Sequence, residues 1–473
     1  IYQTYNMPLD FLGSAYYDGT KVPYWEQIKQ VTPFVASAIL LKLYTNGSSN
    51  TWERKLHGKV YIMTGGTSGI GSALAKELAS KGAQLVLLSS QIGEHADNSA
   101  KVWMTDYVND LREVTGNELI YSEYCDLSSL HSIRKFATKW LDNSLARRLD
   151  GVICLANESI PMGKLRTNSI DGVERQMAIN YLGHYHLLTL LEPALRAQPA
   201  DRDVRVLISS CLSQNMGDVE LNDLLWEDRT YPSNQPWKVY GTSKLLLNMF
   251  AKEFQRRVQN VPRPDKQPCP IRVNIVNPGV VRSPGMRRFL SMGSIFGLVI
   301  YLLLYPVFWL LMKSCQQGMQ SYLFAINNPN IMNIRGGNYI KECTIIENET
   351  RRELNDEALQ KKIYNLTSEQ IVKLEKASAI ERNRGKKVNK KSRLDDLDVK
   401  VKGGATSSVP SNNDKTGLFT SAFTESKQGD PGLYPDMNKI DPGSIDEARE
   451  ARLRHLDEKY MKSREVRSRA AKD

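Results

Sequence analysis

The sequence predicts an α/β fold: a doubly wound, mostly parallel sheet with helices on both faces, followed by a charged, disordered C-terminal tail. Three observations carry this. Short apolar runs alternate with helical stretches from Val60 to Ile340, the pattern of strands covered on both sides. A glycine-rich loop stands directly between the first such run and the first helix of the series. Residues 381–473 hold 21 Lys/Arg, 16 Asp/Glu and only four aromatics, too little apolar surface to form a core.

The elements follow in order. Val31–Leu41 is an uncharged stretch between Gln30 and Lys42, read as an interfacial or a packed core helix. It is too short to span a bilayer, which takes about 20 apolar residues. Val60–Met63 reads as the first strand and Ala73–Lys81 as a helix; Leu85–Leu88 is the next strand. Helical sequence at Trp103–Thr115 precedes the strand Leu119–Cys125, and Leu130–Leu141 precedes Gly151–Leu155. A long helix is expected over Gly172–Leu191, then the β-branched strand Val204–Ser209. Tyr240–Arg257 reads as a helix, Arg272–Val276 and Gly337–Ile340 as strands, and Asn355–Ala379 as an amphipathic helix. Sheets of this kind bind ligands beyond the carboxyl ends of their strands.

Composition narrows the class. With 473 residues, 41% hydrophobic, 24% charged and a net charge of +11, the chain is neither wholly disordered, collagen-like nor a polytopic membrane protein. The tail supplies +5 of that charge, from 21 basic and 16 acidic residues. Six cysteines stand without a C-x-x-C pair, so a reducing compartment is expected and no metal site. Ile1–Asp10 lacks the basic and apolar parts of a secretory signal.

Thr64-Gly65-Gly66-Thr67-Ser68-Gly69-Ile70-Gly71 follows the first strand and opens a helix. Gly65, Gly69 and Gly71 let the backbone turn sharply and approach a pyrophosphate, and the helix start offers N–H groups and a positive dipole end. With this T-G-x-x-x-G-x-G spacing the chain resembles the short-chain dehydrogenase/reductase family, and within it the retinol-dehydrogenase-like members. Further motifs stand in the family's order over residues 57–345. They are Cys125-Asp126-Leu127-Ser128, Asn180-Tyr181-Leu182-Gly183-His184, Ser209-Ser210 at a strand end, Tyr240-Gly241-Thr242-Ser243-Lys244, and Asn277-Pro278-Gly279-Val280-Val281-Arg282-Ser283.

The resemblance implies a Rossmann-type sheet and an NAD(P)-dependent oxidoreductase acting on CH–OH groups. It assigns cofactor contacts to Gly65, Thr67, Ser68, Gly69, Ile70, Gly71, Ser89, Asp126, Asn180, Tyr240, Lys244, Pro278, Gly279, Val281 and Ser283. The sequence departs from the family at three places. Cys154-Leu155-Ala156-Asn157 replaces N-N-A-G, which braces the central sheet and the nicotinamide ribose. Ser283 replaces a threonine and keeps its hydroxyl. Ser89-Ser90-Gln91 carries no acid to hold a ribose 2′-hydroxyl, which favours NADP(H) over NAD(H).

Hydride addition to a carbonyl leaves an alkoxide that needs a proton. A phenol titrates near 10 unless a neighbouring ammonium favours its charged form. Tyr240 and Lys244 are four apart and share a helix face, so Lys244 is expected to lower the Tyr240 pKa. Tyr240 is then acid in reduction and base in oxidation. The resemblance further implies that Lys244 binds the nicotinamide ribose, that Ser210 holds the substrate oxygen, and that Asn180 completes a proton relay. His184 reads as a packing residue. The polar insert Asp218–Trp237 is similar to one that helps wall the substrate site in retinol-dehydrogenase-like members.

Phe289–Met312 is uncharged and lies between Arg287-Arg288 and Lys313. It is long enough to span a bilayer, but its two ends belong to one domain, so simple spanning is excluded. A hairpin dipping into one leaflet is favoured over a lid packed inward, because Tyr301, Tyr305 and Trp309 among aliphatics suit an interface. Arg282, Arg287, Arg288, Lys313 and the basic run Arg382–Arg393 could meet lipid phosphates; no nucleic-acid motif accompanies them.

The expected organisation is an extension over 1–56, a catalytic domain over 57–345, a helix over 346–380 and a tail over 381–473 with a terminal helix from Ser444. The expected partners are a lipophilic substrate (retinoid, sterol or fatty aldehyde) and a lipid-droplet or endoplasmic-reticulum surface, with the domain facing the cytosol. A homodimer is left open. The basic tail and apolar insert together resemble fungal lipid-droplet oxidoreductases linked to vacuolar morphology. The rival reading is a catalytically weak nucleotide-binding scaffold that organises lipid droplets.

Overall fold

The computed structural model describes residues 25–402, apart from 94–95, 143–146, 264 and 347–350. Its strands are β1 Val60–Thr64, β2 Gln84–Ser89, β3 Ile120–Tyr124, β4 Gly151–Cys154, β5 Val204–Ser209, β6 Ile271–Asn277, β7 Tyr339–Lys341 and β8 Thr344–Ile346. They form one sheet in the order β3-β2-β1-β4-β5-β6-β7-β8. The pairs from β3 through to β7 are parallel, and β8 adds an antiparallel edge. Chain order reverses between β1 and β4. That switch point opens the crevice in which such sheets hold ligands.

Every residue of β1 and β4 is buried, as strands with helices on both faces require. Helix α1 covers Trp25–Asn46 and α2 covers Gly69–Ser80. Leu74, Ala75, Leu78 and Ala79 of α2 are buried, the i, i+4 spacing of one stripe facing the sheet. Helix α3 is Asn98–Thr115, stopped by Gly116 at φ +64°. Helix α4 is Leu130–Leu141, started by Ser129, whose side chain accepts from the Ser132 N–H. Helix α5 is Gly183–Arg196 and α6 is Pro236–Asn260.

The long helix expected from Gly172 starts at Met177 instead. Residues 177–182 form a wider π turn before α5, and Gly172, at φ +82°, belongs to the preceding turn. Strand β8 has no counterpart in the sequence reading. Its two-residue turn uses Glu342 and Cys343, both at positive φ (52° and 55°). That geometry usually announces itself by Asn-Gly or Asp-Gly, which this sequence lacks.

After β6 the chain forms α7 Pro284–Leu290, α8 Ile295–Leu303 and α9 Tyr305–Leu311, then α10 Cys315–Gly318 and α11 Gln320–Asn327. Among the described residues no single helix is long and apolar enough to cross a membrane; α7 and α8 together are, but they bend by 109°. The excursion is closed at its base: Arg282 N–H donates to the Lys313 carbonyl at 2.9 Å, and Lys313 N–H donates to the Val280 carbonyl at 3.0 Å.

Helix α12 runs Glu357–Lys402, past the expected end near residue 380 and through the basic run. Described residues up to Ile371 belong to one compact unit and those from Val372 to a second. Within the first unit, Tyr364 packs on Tyr185 and Phe250, with centroids 5.0 and 5.9 Å apart, and the Tyr181 hydroxyl meets Thr367 at 2.7 Å. The terminal helix expected from Ser444 lies outside the described residues.

At the opposite end of the strands from the crevice, Arg205 is buried at 1% exposure. It donates to both Asp203 carboxylate oxygens, at 2.8 and 2.7 Å, and to the Ala325 carbonyl at 2.7 Å. Removing one partner of a buried pair strands the other's charge. Here Asp203 would keep Arg54 as a partner, while the Ala325 carbonyl would lose its donor, so Arg205→Ala is expected to lower unfolding free energy by about 2 kcal/mol, read by urea denaturation. A loss near that of an exposed pair would show that the pair contributes little.

Candidate active site

The site grows from the end of β1. Gly65 has φ +68°, and a Cβ there would stand 2.5 Å from the Ala156 nitrogen. A Cβ at Gly71 would stand 2.0 Å from the Gly65 carbonyl oxygen. Both positions admit only hydrogen, so the loop hugs β4 while α2 packs tightly behind it. Ser68 precedes α2 without a side-chain capping bond, leaving the helix start open for an anion.

A cleft of about 470 Å³ begins at this loop. Gly65, Thr67, Ser68, Gly69, Ile70 and Gly71 line one end, with Ser89 and Asp126 beside them. Tyr240, Lys244, Pro278, Gly279, Val281 and Ser283 line the other. The loop, the β2 and β3 ends and the β6 end thus converge on one crevice that fits a dinucleotide. Asn180 is the exception: it is buried behind the wall.

Asn180 nonetheless has a defined task. Its Oδ1 accepts from Glu158 N–H at 2.7 Å, and its Nδ2 donates to the Glu158 carbonyl at 2.9 Å and to Ser243 Oγ at 3.2 Å. It ties the loop after β4 to the helix that carries Tyr240. His184 is more than packing. Its Nε2 lies 3.0 Å from Thr64 Oγ1 and its Nδ1 lies 3.1 Å from the Asn180 carbonyl. Thr64 Oγ1 also accepts from the N–H groups of Leu155 and Ala156, at 3.1 and 3.2 Å. With both lone pairs used, the threonine must donate its proton to Nε2, which fixes the ring as neutral with its proton on Nδ1. This junction braces the stretch where N-N-A-G is missing.

Lys244 donates to the Ser209 carbonyl at 3.3 Å, and its Nζ stands 5.9 Å from the centre of the Tyr240 ring. The expected lowering of the Tyr240 pKa does not govern here. Burial of the hydroxyl end pushes it well above its ordinary value, with Cys211 adding to the rise and the Asn157 amide opposing it. Burial also lowers Lys244. The phenol is thus held protonated, the form an acid needs before reduction.

Ser210 does not face Tyr240. Its hydroxyl accepts from Asn248 Nδ2 at 2.8 Å and approaches Gln214 Oε1 at 3.4 Å. Beside the Tyr240 hydroxyl stand Cys211, with Sγ at 3.8 Å, and the Asn157 amide. Sequence reasoning missed Cys211 because two serines precede it and only the strand's alternation decides which side chain enters the cleft. It missed Asn157 because the altered stretch was read as a loss.

Comparison with known proteins agrees with this geometry. The KR domain model matches residues 59–220. An uncharacterized oxidoreductase of Saccharomyces cerevisiae is 42% identical over 82% of this chain and 97% of its own. The chain belongs to the short-chain dehydrogenase/reductase family. Human retinol dehydrogenase 13 is 31% identical, over 63% of this chain and 81% of its own. A mouse polyprenol dehydrogenase is 30% identical, over 65% and 82%. This oxidoreductase is therefore retinol-dehydrogenase-like, and its cleft serves NAD(P)-dependent chemistry on CH–OH groups. The bound nicotinamide supplies the hydride; the chain's own residues bind, orient and move the proton.

Burial lowers the His184 pKa to about 4, below the value of about 6.5 it has in an unfolded chain. The unfolded state therefore takes up a proton first, and stability falls as pH drops from about 6.5 to about 4. His184→Gln is expected to flatten that fall by roughly 3 kcal/mol, measured as denaturation midpoints across this window. An unchanged slope would mean that His184 does not titrate between the two states.

Proposed function

We propose that this enzyme interconverts a carbonyl and an alcohol on a lipophilic substrate at a membrane or lipid-droplet surface, with NADP(H) preferred. The observation that carries the reading is the passage from cleft to apolar surface. Pro284, Gly285 and Met286, the start of α7, line the cleft. The chain then bends into α8, where Ile295, Phe296 and Leu303 are 85%, 75% and 76% exposed. Such exposure does not suit a lid packed inward. It suits a hairpin lying in one leaflet, whose interior is Tyr301 (7% exposed) stacked on Phe308 at 5.2 Å.

Helix α1 joins this surface. Lys42 Nζ donates to the carbonyls of Trp309 and Met312 at 2.7 and 2.9 Å, and Thr45 to that of Leu310 at 2.7 Å. These bonds cap the end of α9, where a cation is favoured. The uncharged part of α1, Val31–Leu41, is exposed nearly all round, with Phe34 at 77%. A helix apolar on every side needs an apolar surround. Eleven residues at 1.5 Å each reach about 16 Å, close to half a hydrocarbon core of about 30 Å. Arg287 and Arg288 are exposed beside the hairpin, Arg288 with Glu158 at 3.2 Å, and their charge supports contact with lipid phosphate. Lys313 is buried and paired with Glu342, so it does not join them.

The substrate class follows from the same surface and from the retinol and polyprenol named for the relatives. Retinoid, sterol and fatty aldehydes all dissolve where the hairpin lies. A lipid droplet or the cytosolic face of the endoplasmic reticulum would present them. NADP(H) preference is supported by the cleft wall at Ser89, Ser90 and Gln91, which carries no carboxylate to repel a 2′-phosphate.

With NADPH and a panel of long- and short-chain aldehydes, turnover is expected to favour long chains. Tyr240→Phe should lower kcat at least about 100-fold while NADPH binding stays unchanged. An unaltered kcat would remove Tyr240 from the proton step, and tighter binding of NADH than NADPH would reverse the cofactor preference. For the membrane, a double change of Phe34→Asp and Phe296→Asp is expected to release the enzyme from phospholipid vesicles in flotation while leaving its thermal midpoint near wild type. Retention of that variant on vesicles would move the anchor elsewhere in the chain.

A further inference from the structure

We propose that Cys211, rather than a serine, is the hydrogen-bond donor that holds the substrate oxygen beside Tyr240. This rests on the carbonyl–alcohol reading above and adds a residue to it. The argument begins with the end of β5. Ser209 is still in register with Val276, and its hydroxyl accepts from the Tyr322 hydroxyl at 2.7 Å on the α11 side. Ser210 continues the ladder, donating its N–H to the Val276 carbonyl at 2.8 Å. Successive side chains on a strand point to opposite faces, so Ser210 turns towards α6.

There its hydroxyl belongs to a buried polar network, in which Asn248 Oδ1 is left without a partner. Asn248 donates to Ser210 Oγ and to Gln214 Oε1. Gln214 Nε2 donates to the Tyr339 hydroxyl at 3.1 Å, and Asn277 donates to that same hydroxyl at 2.8 Å. Ser210 is 2% exposed. Freeing its hydroxyl for a substrate would leave buried amides without partners, which is costly.

Cys211 lies one residue beyond the ladder, with φ −158° and ψ 173°. The extended backbone returns its side chain to the cleft, which it lines. Its Sγ donates towards the Tyr240 hydroxyl at 3.8 Å. A carbonyl oxygen within reach of the phenol is therefore within reach of the thiol as well. In reduction, hydride adds to the carbonyl carbon and the Tyr240 proton passes to the oxygen. The thiol keeps its proton and forms no covalent bond. It is a weak donor, so it stabilises the developing alkoxide less than a hydroxyl would. Donors aimed at such an oxygen govern rate more than ground-state affinity.

The test compares wild type, Cys211→Ser, Cys211→Ala and Ser210→Ala in the full chain, with kcat, KM, NADPH affinity and thermal midpoint measured for each. The expected order of kcat is Cys211→Ser above wild type by about tenfold, and Cys211→Ala below it by about tenfold, with KM and NADPH affinity little moved. Ser210→Ala should lower the thermal midpoint yet keep kcat within about twofold of wild type. The inference is overturned if Cys211→Ala matches or exceeds wild type, or if Ser210→Ala loses kcat with NADPH affinity intact. The variant order is read on whichever carbonyl the enzyme turns over best, whereas preference for long over short chains reports the substrate reading. The two can therefore fail separately.

Discussion

One hydroxyl holds the crevice together. Thr64 ends β1 at the switch point, and its Oγ1 takes the N–H groups of Leu155 and Ala156 while bonding His184. These contacts join the end of β1, the loop after β4 and the start of α5. All three must be fixed before any cleft exists. The loop Gly65–Gly71 can hug β4 only because Leu155 and Ala156 are pinned, and Asn180 is oriented because its carbonyl receives the His184 ring. The family's usual asparagines are absent from Cys154–Asn157, and the bracing has moved to a threonine–histidine pair. A buried neutral imidazole suits this better than a charged one, since burial opposes protonation.

From that junction the polar groups form two systems that do not mix. One runs through Asn180, Glu158 and Ser243 to the Tyr240 helix. Ser243 Oγ donates to the Tyr240 carbonyl at 2.7 Å, so Asn180 helps fix the backbone that carries Tyr240. The other runs through Ser210, Gln214, Asn248, Tyr339 and Asn277 behind the sheet end. Buried networks specify geometry because their members are costly to leave unpaired; Asn248 Oδ1 is one atom of the second network without a partner. Between the two lie Tyr240 and Cys211, which line the cleft. Burial raises the phenol and lowers the ammonium together, so each buried group is biased towards its neutral form.

Much of this was legible in the sequence, for reasons that show where legibility stops. The parallel strands from Val60 to Ile340 are short apolar runs between helices, and helix Leu130–Leu141 has the predicted bounds. Spacing alone put Tyr240 and Lys244 on one face. What failed depended on geometry that spacing does not encode. Ser210 rests on the family's motif, and Cys211 does not enter that reading; the strand has its expected bounds, Val204–Ser209, but the pleat beyond it decides which side chain turns to the cleft. His184 read as packing because its partner, Thr64, lies 120 residues away. The lowered phenol pKa was expected from the ammonium alone; the desolvation that outweighs it belongs to the folded cleft. The helix through residue 402 ran past its expected end because charge was read as disorder, although Lys, Arg and Glu are good helix formers.

The insert and the cleft meet one constraint. A substrate with a long apolar chain dissolves in water only at a cost proportional to its buried area, about 25 cal/mol per Å². An enzyme that drew it through water would have to overcome that cost on every turnover. Helix α7 removes the need on the proposed reading, because Met286 lines the cleft while the helix leads into the exposed hairpin. The reacting carbon could enter the site while the rest of the chain stays in lipid. The two-bond closure between Val280–Arg282 and Lys313 matters to both tasks. It fixes the hairpin's root to the loop that carries Pro278, Gly279 and Val281, so a displacement of the hairpin is felt at the cofactor wall. On the proposed reading, attachment to lipid and orientation of substrate are then one mechanical problem. The bonds from Lys42 and Thr45 to the end of α9 brace the hairpin from the far side.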